Sequence, residues 1–130
     1  MDRKTEQREA VRRALVDANR PLSAQEVLDQ SRRHVARLGI ATVYRTLRLL
    51  TNEKWLVRVT LPGEPHRYEV AGKAHHHHFH CRSCNRVFEV PECASDVRRM
   101  TPSGFELDGH DVVLYGKCKE CVSTSASRGM

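Results

Sequence analysis

Two Cys-x-x-Cys pairs dominate the chemistry open to this chain: Cys81-x-x-Cys84 and Cys118-x-x-Cys121. A turn of that spacing points two thiolates at one ion, and two such turns complete a tetrahedral all-sulfur site. Soft thiolates favour zinc, with iron the weaker candidate. Four protein ligands leave no open coordination position, so the expected role is structural. A dithiol redox motif is the competing reading, but it needs a thioredoxin-like βαβ context that the flanking residues do not supply. Cys93 is left over and reads as an ordinary small residue.

The second cluster is His75-His76-His77-His78, with His80 close behind. Side chains alternate across an extended strand. His76, His78 and His80 then face one way, His75 and His77 the other, and one stretch can feed two metal sites. Candidate completing groups are His66, Glu69, Glu89, Asp96 and His110. Mixed nitrogen and oxygen donors suit Zn(II), Fe(II) or Mn(II). The blander reading is a solvated polyhistidine linker. A purification tag does not fit an internal run of this length.

These ligands need elements to hold them. Ala10, Val11, Ala14, Leu15 and Ala18 recur at helical spacing, predicting a helix from Thr5 to Ala18. Ser23-Ala24-Gln25-Glu26 is a capping box that opens a second helix, with Val27, Leu28 and Val35 as its apolar stripe and Gly39 near its end. A third helix is expected from about Ala41 to Lys54, with Thr42 as N-cap and Val43, Leu47 and Leu50 buried. Tyr44, Arg45 and Arg48 share another face of it. Trp55–Leu61 and His66–Val70 read as strands around the turn Pro62-Gly63-Glu64-Pro65. Three helices and a hairpin is the winged helix-turn-helix order. Ala71–Ala74 is a candidate hinge. Strands are expected at Phe79–Arg82, Arg86–Val90 and Asp111–Tyr115, with a short helix at Ala94–Met100. The Ser-rich residues 122–130 read as a disordered tail. The fold class is therefore α+β: a winged-helix domain over 1–70, then a small α/β domain over 75–121.

Charge divides the same way. Residues 1–60 hold 13 basic and 7 acidic residues, whereas 61–130 hold 9 of each, so the net +6 lies in the first half. All five cysteines and seven of the eight histidines lie in the second. A basic helical unit is attracted to a phosphate backbone, and Thr42, Tyr44, Arg45 and Arg48 are the candidate DNA contacts, with Arg the natural donor to guanine. No apolar run approaches the ~20 residues of a membrane span, and MDRKTEQREA has no apolar export signal. A cytoplasmic protein is expected. An enzyme is not: there is no His-Glu-x-x-His helix and no Gly-rich phosphate loop. A metal-storage or metallochaperone role explains the histidines but not the Tyr44-Arg45-Arg48 face.

Taken together, the motifs resemble the ferric uptake regulator superfamily of bacterial metal-dependent repressors over residues 5–121. The resemblance rests on Ala41-Thr42-Val43-Tyr44-Arg45-Thr46-Leu47, Arg67-Tyr68-Glu69, the run from His75 to Cys84, and His110 through Leu114-Tyr115-Gly116-Lys117-Cys118-x-x-Cys121. It implies a homodimer, a winged helix on an AT-rich palindrome, and a C-terminal dimerisation domain. It also implies a structural zinc at Cys81, Cys84, Cys118 and Cys121. A regulatory site is implied at Glu69, His76, His78 and Glu89, and a further site at His75, His77, Asp96 and His110. The chain departs from the pattern in several places. Ala71 stands near the point where actinobacterial zinc sensors place a cysteine after the wing, and the regulatory set offers glutamates where the peroxide-sensing type prefers aspartates. Pro21 stands where iron and peroxide sensors offer a histidine. His66 stands where some zinc sensors carry a hinge cysteine, and it is a fifth candidate ligand of the regulatory site. The expectation is a zinc-responsive repressor of metal-homeostasis genes, similar to zinc uptake regulators. The alternative is an iron- or peroxide-responsive one, with Fe(II) or Mn(II) as regulatory metal.

Overall fold

A computed structural model of the chain describes residues 2–92 and 95–128, and the side chains of all of these except 95, 96 and 125–128. The backbone falls into two compact units, Met1–Lys73 and Ala74–Met130.

In the first unit, helix α1 (Arg3–Ala18) is capped by Asp2, whose carboxylate accepts the Thr5 N–H at 2.8 Å. It ends at Asn19, in the left-handed region (φ 48°), a conformation that Asn tolerates better than most residues. A two-residue strand β1 (Leu22–Ser23) leads into α2 (Ala24–Ser31). Both bonds of the capping box form: Ser23 Oγ accepts Glu26 N–H at 3.2 Å, and Glu26 accepts Ser23 N–H at 3.1 Å. Helix α3 spans Ile40–Asn52. The hairpin follows as β2 (Leu56–Val59) and β3 (Arg67–Val70), in the antiparallel order β1-β3-β2.

Several boundaries differ from the sequence expectation. α2 ends at Ser31, and Val35 lies in the turn beyond it, still packed on the core. α3 starts at Ile40 with Gly39 as N-cap. Thr42 cannot cap it, being inside the helix, where its hydroxyl accepts an N–H from Arg45 at 3.0 Å.

Val11, Leu15, Leu22, Val27, Leu38, Val43, Leu47, Leu50 and Leu56 form one buried cluster. Each such side chain contributes about 1.5–3 kcal/mol by leaving water. β3 shows its two faces. Tyr68 and Val70 pack against this core, and Arg67 and Glu69 point to the opposite face.

The second unit has strands β4 (His77–Cys81), β5 (Val87–Val90) and β6 (Val113–Gly116) in the order β5-β4-β6. β4 is central, antiparallel to β5 and parallel to β6. Gly116 lies against Phe79: a Cβ there would meet its ring at 3.2 Å. A 3-10 helix spans Ser95–Met100; Cys93 and Ala94 lie outside the described residues. The expected disordered tail is corrected over most of its length: α4 runs Lys119–Arg128. Serine is only middling as a helix former, so a Ser-rich segment is not barred from a helix. Here Val122 N–H bonds to Cys118 O and Thr124 Oγ donates to Glu120 O. Residues 129–130 are outside the described set. Among the described residues, the buried apolar side chains of this unit are Cys81, Val87 and Cys118. Two of these three are thiols, so a hydrocarbon core is nearly absent, and a domain this small ordinarily needs a metal or a partner.

Candidate metal centres and nucleic-acid face

β4 ends at Cys81, and the turn to β5 brings Cys84 back beneath it. Asn85, in the left-handed region at φ 65°, makes that turn. The parallel partner β6 delivers Cys118 to the same place, and the first turn of α4 adds Cys121. Cys81 Sγ lies 3.7 Å from Cys121 Sγ, and Cys84 Sγ 3.8 Å from Cys118 Sγ. All four sulfurs are within 4.8 Å of one another. A tetrahedron with metal–sulfur bonds of ~2.3 Å has edges of ~3.8 Å. The donor set therefore fits a structural zinc.

Its electrostatics fit as well. Backbone amides of Cys84 and Cys118 point at Cys81 Sγ at 3.4 and 3.3 Å. The Cys84 amide in particular, with help from that of Cys118 and against burial, lowers the Cys81 thiol to about 5. Burial pushes the Cys84 thiol up, but the Arg86 amide and guanidinium outweigh it and hold the thiol below its usual value. Arg86 Nε donates to Cys84 Sγ at 3.2 Å, and Arg86 Nη2 pairs with Glu120 at 2.7 Å. Cys121 is pushed up to about 12: Ser83 lowers it, but Cys118, burial and the other thiols prevail. One thiolate is thus ready-made, and the metal must displace protons from the rest.

The histidine run divides by strand parity. On one face, His76 and His78 rings stand 4.9 Å apart. Glu89, the cross-strand partner of His78, brings a carboxylate to 3.6 Å from His76 Nε2. His76 Nδ1 faces Ala74 O at 2.8 Å. A bond there requires the Nδ1–H tautomer and leaves the lone pair on Nε2, as a ligating imidazole needs. On the other face, His75 Nε2 lies 3.2 Å from His77 Nε2 and 3.3 Å from His110 Nε2. Zinc–nitrogen bonds of ~2.0–2.1 Å imply tetrahedral edges of ~3.3 Å. Burial, with neighbouring His75 and His110, lowers the His77 pKa, so this ring favours its neutral form. The Asp96 side chain lies outside the described residues.

His80 is not in the donor group of His76 and His78; its Nε2 meets Asn85 Oδ1 at 2.6 Å. His66 is exposed at the hairpin, with Nδ1 3.2 Å from Thr60 Oγ1. It precedes β3 and belongs to none of the metal-donor groups among the described residues, whereas Glu69, inside the strand, is buried at 3% exposure beside Lys73.

On α3, Val43, Leu47 and Leu50 face the core, while Tyr44, Arg45 and Arg48 are exposed. Thr42 is half-buried and bonded to Arg45. Lys4, Gln7 and Arg8 of α1 line a cleft together with Thr42, Arg45 and Thr46. The spacing of 4, 7 and 8 on one helical stripe was the available signal for these α1 residues, which a reading centred on α3 misses. Among the described residues, no helix is long and apolar enough to cross a membrane.

Known proteins show the same architecture. The ferric uptake regulator family model matches residues 2–115. The ferric uptake regulation protein of Campylobacter jejuni is 35% identical over 92 residues, 68% of this chain; the chain spans 59% of that relative's length. The zinc uptake regulation protein of Mycobacterium tuberculosis is 32% identical over 126 residues, 93% of this chain and 95% of the relative. A solved zinc-bound manganese uptake regulator superposes with a TM-score of 0.76 at 28% identity, covering 90% of this chain and 91% of the other. With a match over nearly its whole length, and with the four-cysteine cluster fitting structural zinc, the chain belongs to the ferric uptake regulator family.

Proposed function

We propose that this chain is a metal-responsive transcription repressor of the cytoplasm, acting as a homodimer on an AT-rich palindromic operator and controlling metal-homeostasis genes, with zinc as the sensed metal. The observation that carries the reading is a juxtaposition along the chain. Residues 71–74 join a helical unit that presents Tyr44, Arg45 and Arg48 to a strand that gathers His76 and His78 with Glu89. In this reading the regulatory ion is held by His76, His78 and Glu89, with Glu69 as the ligand that the family resemblance assigns from the first unit. A second set is His75, His77, Asp96 and His110.

A ligand can shift a conformational equilibrium only by its differential affinity for the two states. An ion that needs donors from both units favours the arrangement that supplies them, and two recognition helices then meet successive major grooves. Coupling of ~1–3 kcal/mol corresponds to a ~5- to 150-fold change in DNA affinity. Zinc is supported by the Mycobacterium tuberculosis relative, matched over 95% of its length. Iron is the second reading, favoured by the higher identity of the Campylobacter jejuni relative. Metal analysis of the purified protein, with duplex binding titrated against Zn(II), Fe(II) and Mn(II), tests both. Zinc-dependent binding is expected. Binding that responds to Fe(II) alone contradicts the zinc assignment, and binding indifferent to all three contradicts the regulator.

A further inference from the structure

Helix α1 carries two kinds of cation. Toward its C-terminal half, the arginines are neutralised: Arg12 pairs with Glu9 at 3.2 Å and with Glu53 at 4.0 Å, and Arg13 with Asp17 at 3.8 Å. Glu6, Glu9, Arg12, Arg13 and Asp17 line one side of the helix. The stripe Lys4, Gln7, Arg8 lies on another side and lines a cleft of about 200 Å³ with Thr42, Arg45 and Thr46 of α3. No carboxylate lines that cleft among the described residues. Glu6 and Glu9, the acids adjacent in sequence, line the cleft on the other side of the helix, and Asp2 is committed to capping Thr5 N–H. Arg45 meets a hydroxyl, not an acid. Arg8 is half-buried and forms no ion pair among the described residues.

We infer that Lys4, Gln7 and Arg8 form a phosphate clamp, which holds the DNA backbone beside the groove that α3 enters. The inference rests on the DNA-binding reading above and deepens it. The cations Lys4, Arg8 and Arg45, with amide and hydroxyl donors among them, match the chemistry of a backbone phosphodiester. Such contacts fix the register of a recognition helix on the duplex and carry no base information. The clamp also gives the positive half of the chain a location: part of its excess charge sits beside the base-reading residues, while the rest of α1 is charge-balanced.

The test uses the full-length zinc-loaded protein and a fluorescent mixed-sequence duplex, with affinity measured from about 50 to 200 mM salt. Removing one phosphate interaction should make the slope of log affinity against log salt shallower by about 0.9. In a Lys4→Gln, Arg8→Gln variant the slope should therefore become shallower by up to ~2 for one protomer and ~4 for a symmetric pair. Binding to an AT-rich palindromic duplex should weaken by the same factor as binding to the mixed-sequence one, because the clamp reads no bases. Arg13→Gln, removing a cation already paired with Asp17, should leave the slope in place. Unchanged melting temperature and zinc content show that the fold survives. If the wild type binds duplex and the double variant shows the same slope and affinity, the clamp is overturned and the DNA-binding reading stands. If the wild type binds no duplex at any of these salt concentrations, both are overturned.

Discussion

The backbone N–H of Val112 donates to His77 Nδ1 at 3.2 Å, whereas in the neighbouring residue His76 it is Nδ1 that faces a carbonyl, Ala74 O. The two rings are thereby set in opposite tautomers. A His77 that accepts at Nδ1 keeps its proton on Nε2, the atom turned toward His75. A metal entering between His75, His77 and His110 must break that arrangement, and one entering beside His76 need not. Stepwise removal of zinc by a chelator should therefore empty the His75–His77–His110 site first and the four-cysteine site last. Zinc content measured against chelator concentration, repeated with His110→Ala, checks this. The variant should lack the weakest step, and disappearance of the tightest step instead would contradict the ranking.

Cys81 is held at about 5 by backbone amides, so at neutral pH its sulfur is already a thiolate. Four thiolates are needed and each remaining thiol must give up its proton. The first equivalent of zinc should then release fewer than four protons at pH 7. Calorimetry in buffers of different ionisation enthalpy counts them. Below about pH 5 Cys81 is protonated as well, so affinity should fall more steeply with acid there. Release of all four protons at pH 7 would refute the preformed thiolate.

Arg86 joins the two Cys-x-x-Cys turns, touching Cys84 through Nε and Glu120 through Nη2. A hydrogen bond to a charged group contributes about 1.5–3 kcal/mol. Glu120 is 74% exposed, so its pairing adds at most ~1 kcal/mol. Arg86→Gln should weaken zinc binding at this site by roughly ten-fold or more, read by competition with a chromophoric chelator, and Glu120→Gln by much less.

Leu47 is fully buried at the centre of the first unit. Leu47→Ala should cost about 2–5 kcal/mol. Thermal melting should show the first unit unfolding at lower temperature, while a zinc ion per chain stays with the cysteines of the second.

Much of this was readable from residues, for physical reasons. The Ser23–Glu26 box is local and both of its bonds form. The cysteine spacings encode turn geometry directly. Strand parity separates His75 and His77 from His76 and His78, because side-chain alternation is a property of any extended chain. Features set by tertiary contacts were not readable. Thr42 looks like an N-cap, yet α3 already begins at Ile40 with Gly39 as its cap, which leaves Thr42 inside the helix. β1 is two residues long and exists only through its pairing with β3. His80 follows parity on paper, yet Asn85, brought round by a left-handed turn, claims its ring. The tail becomes helix because Cys121 lies in its first turn and ties that turn to the four-sulfur cluster.

Metal at His76, His78 and Glu89 is what governs DNA affinity in the proposed function. The most direct test is duplex binding by a His76→Ala, His78→Ala variant, with and without zinc, in protein whose four-cysteine site stays loaded. The wild type should gain ~5- to 150-fold in affinity with added zinc, and the variant should gain none. A variant with the wild type's full zinc response would contradict it.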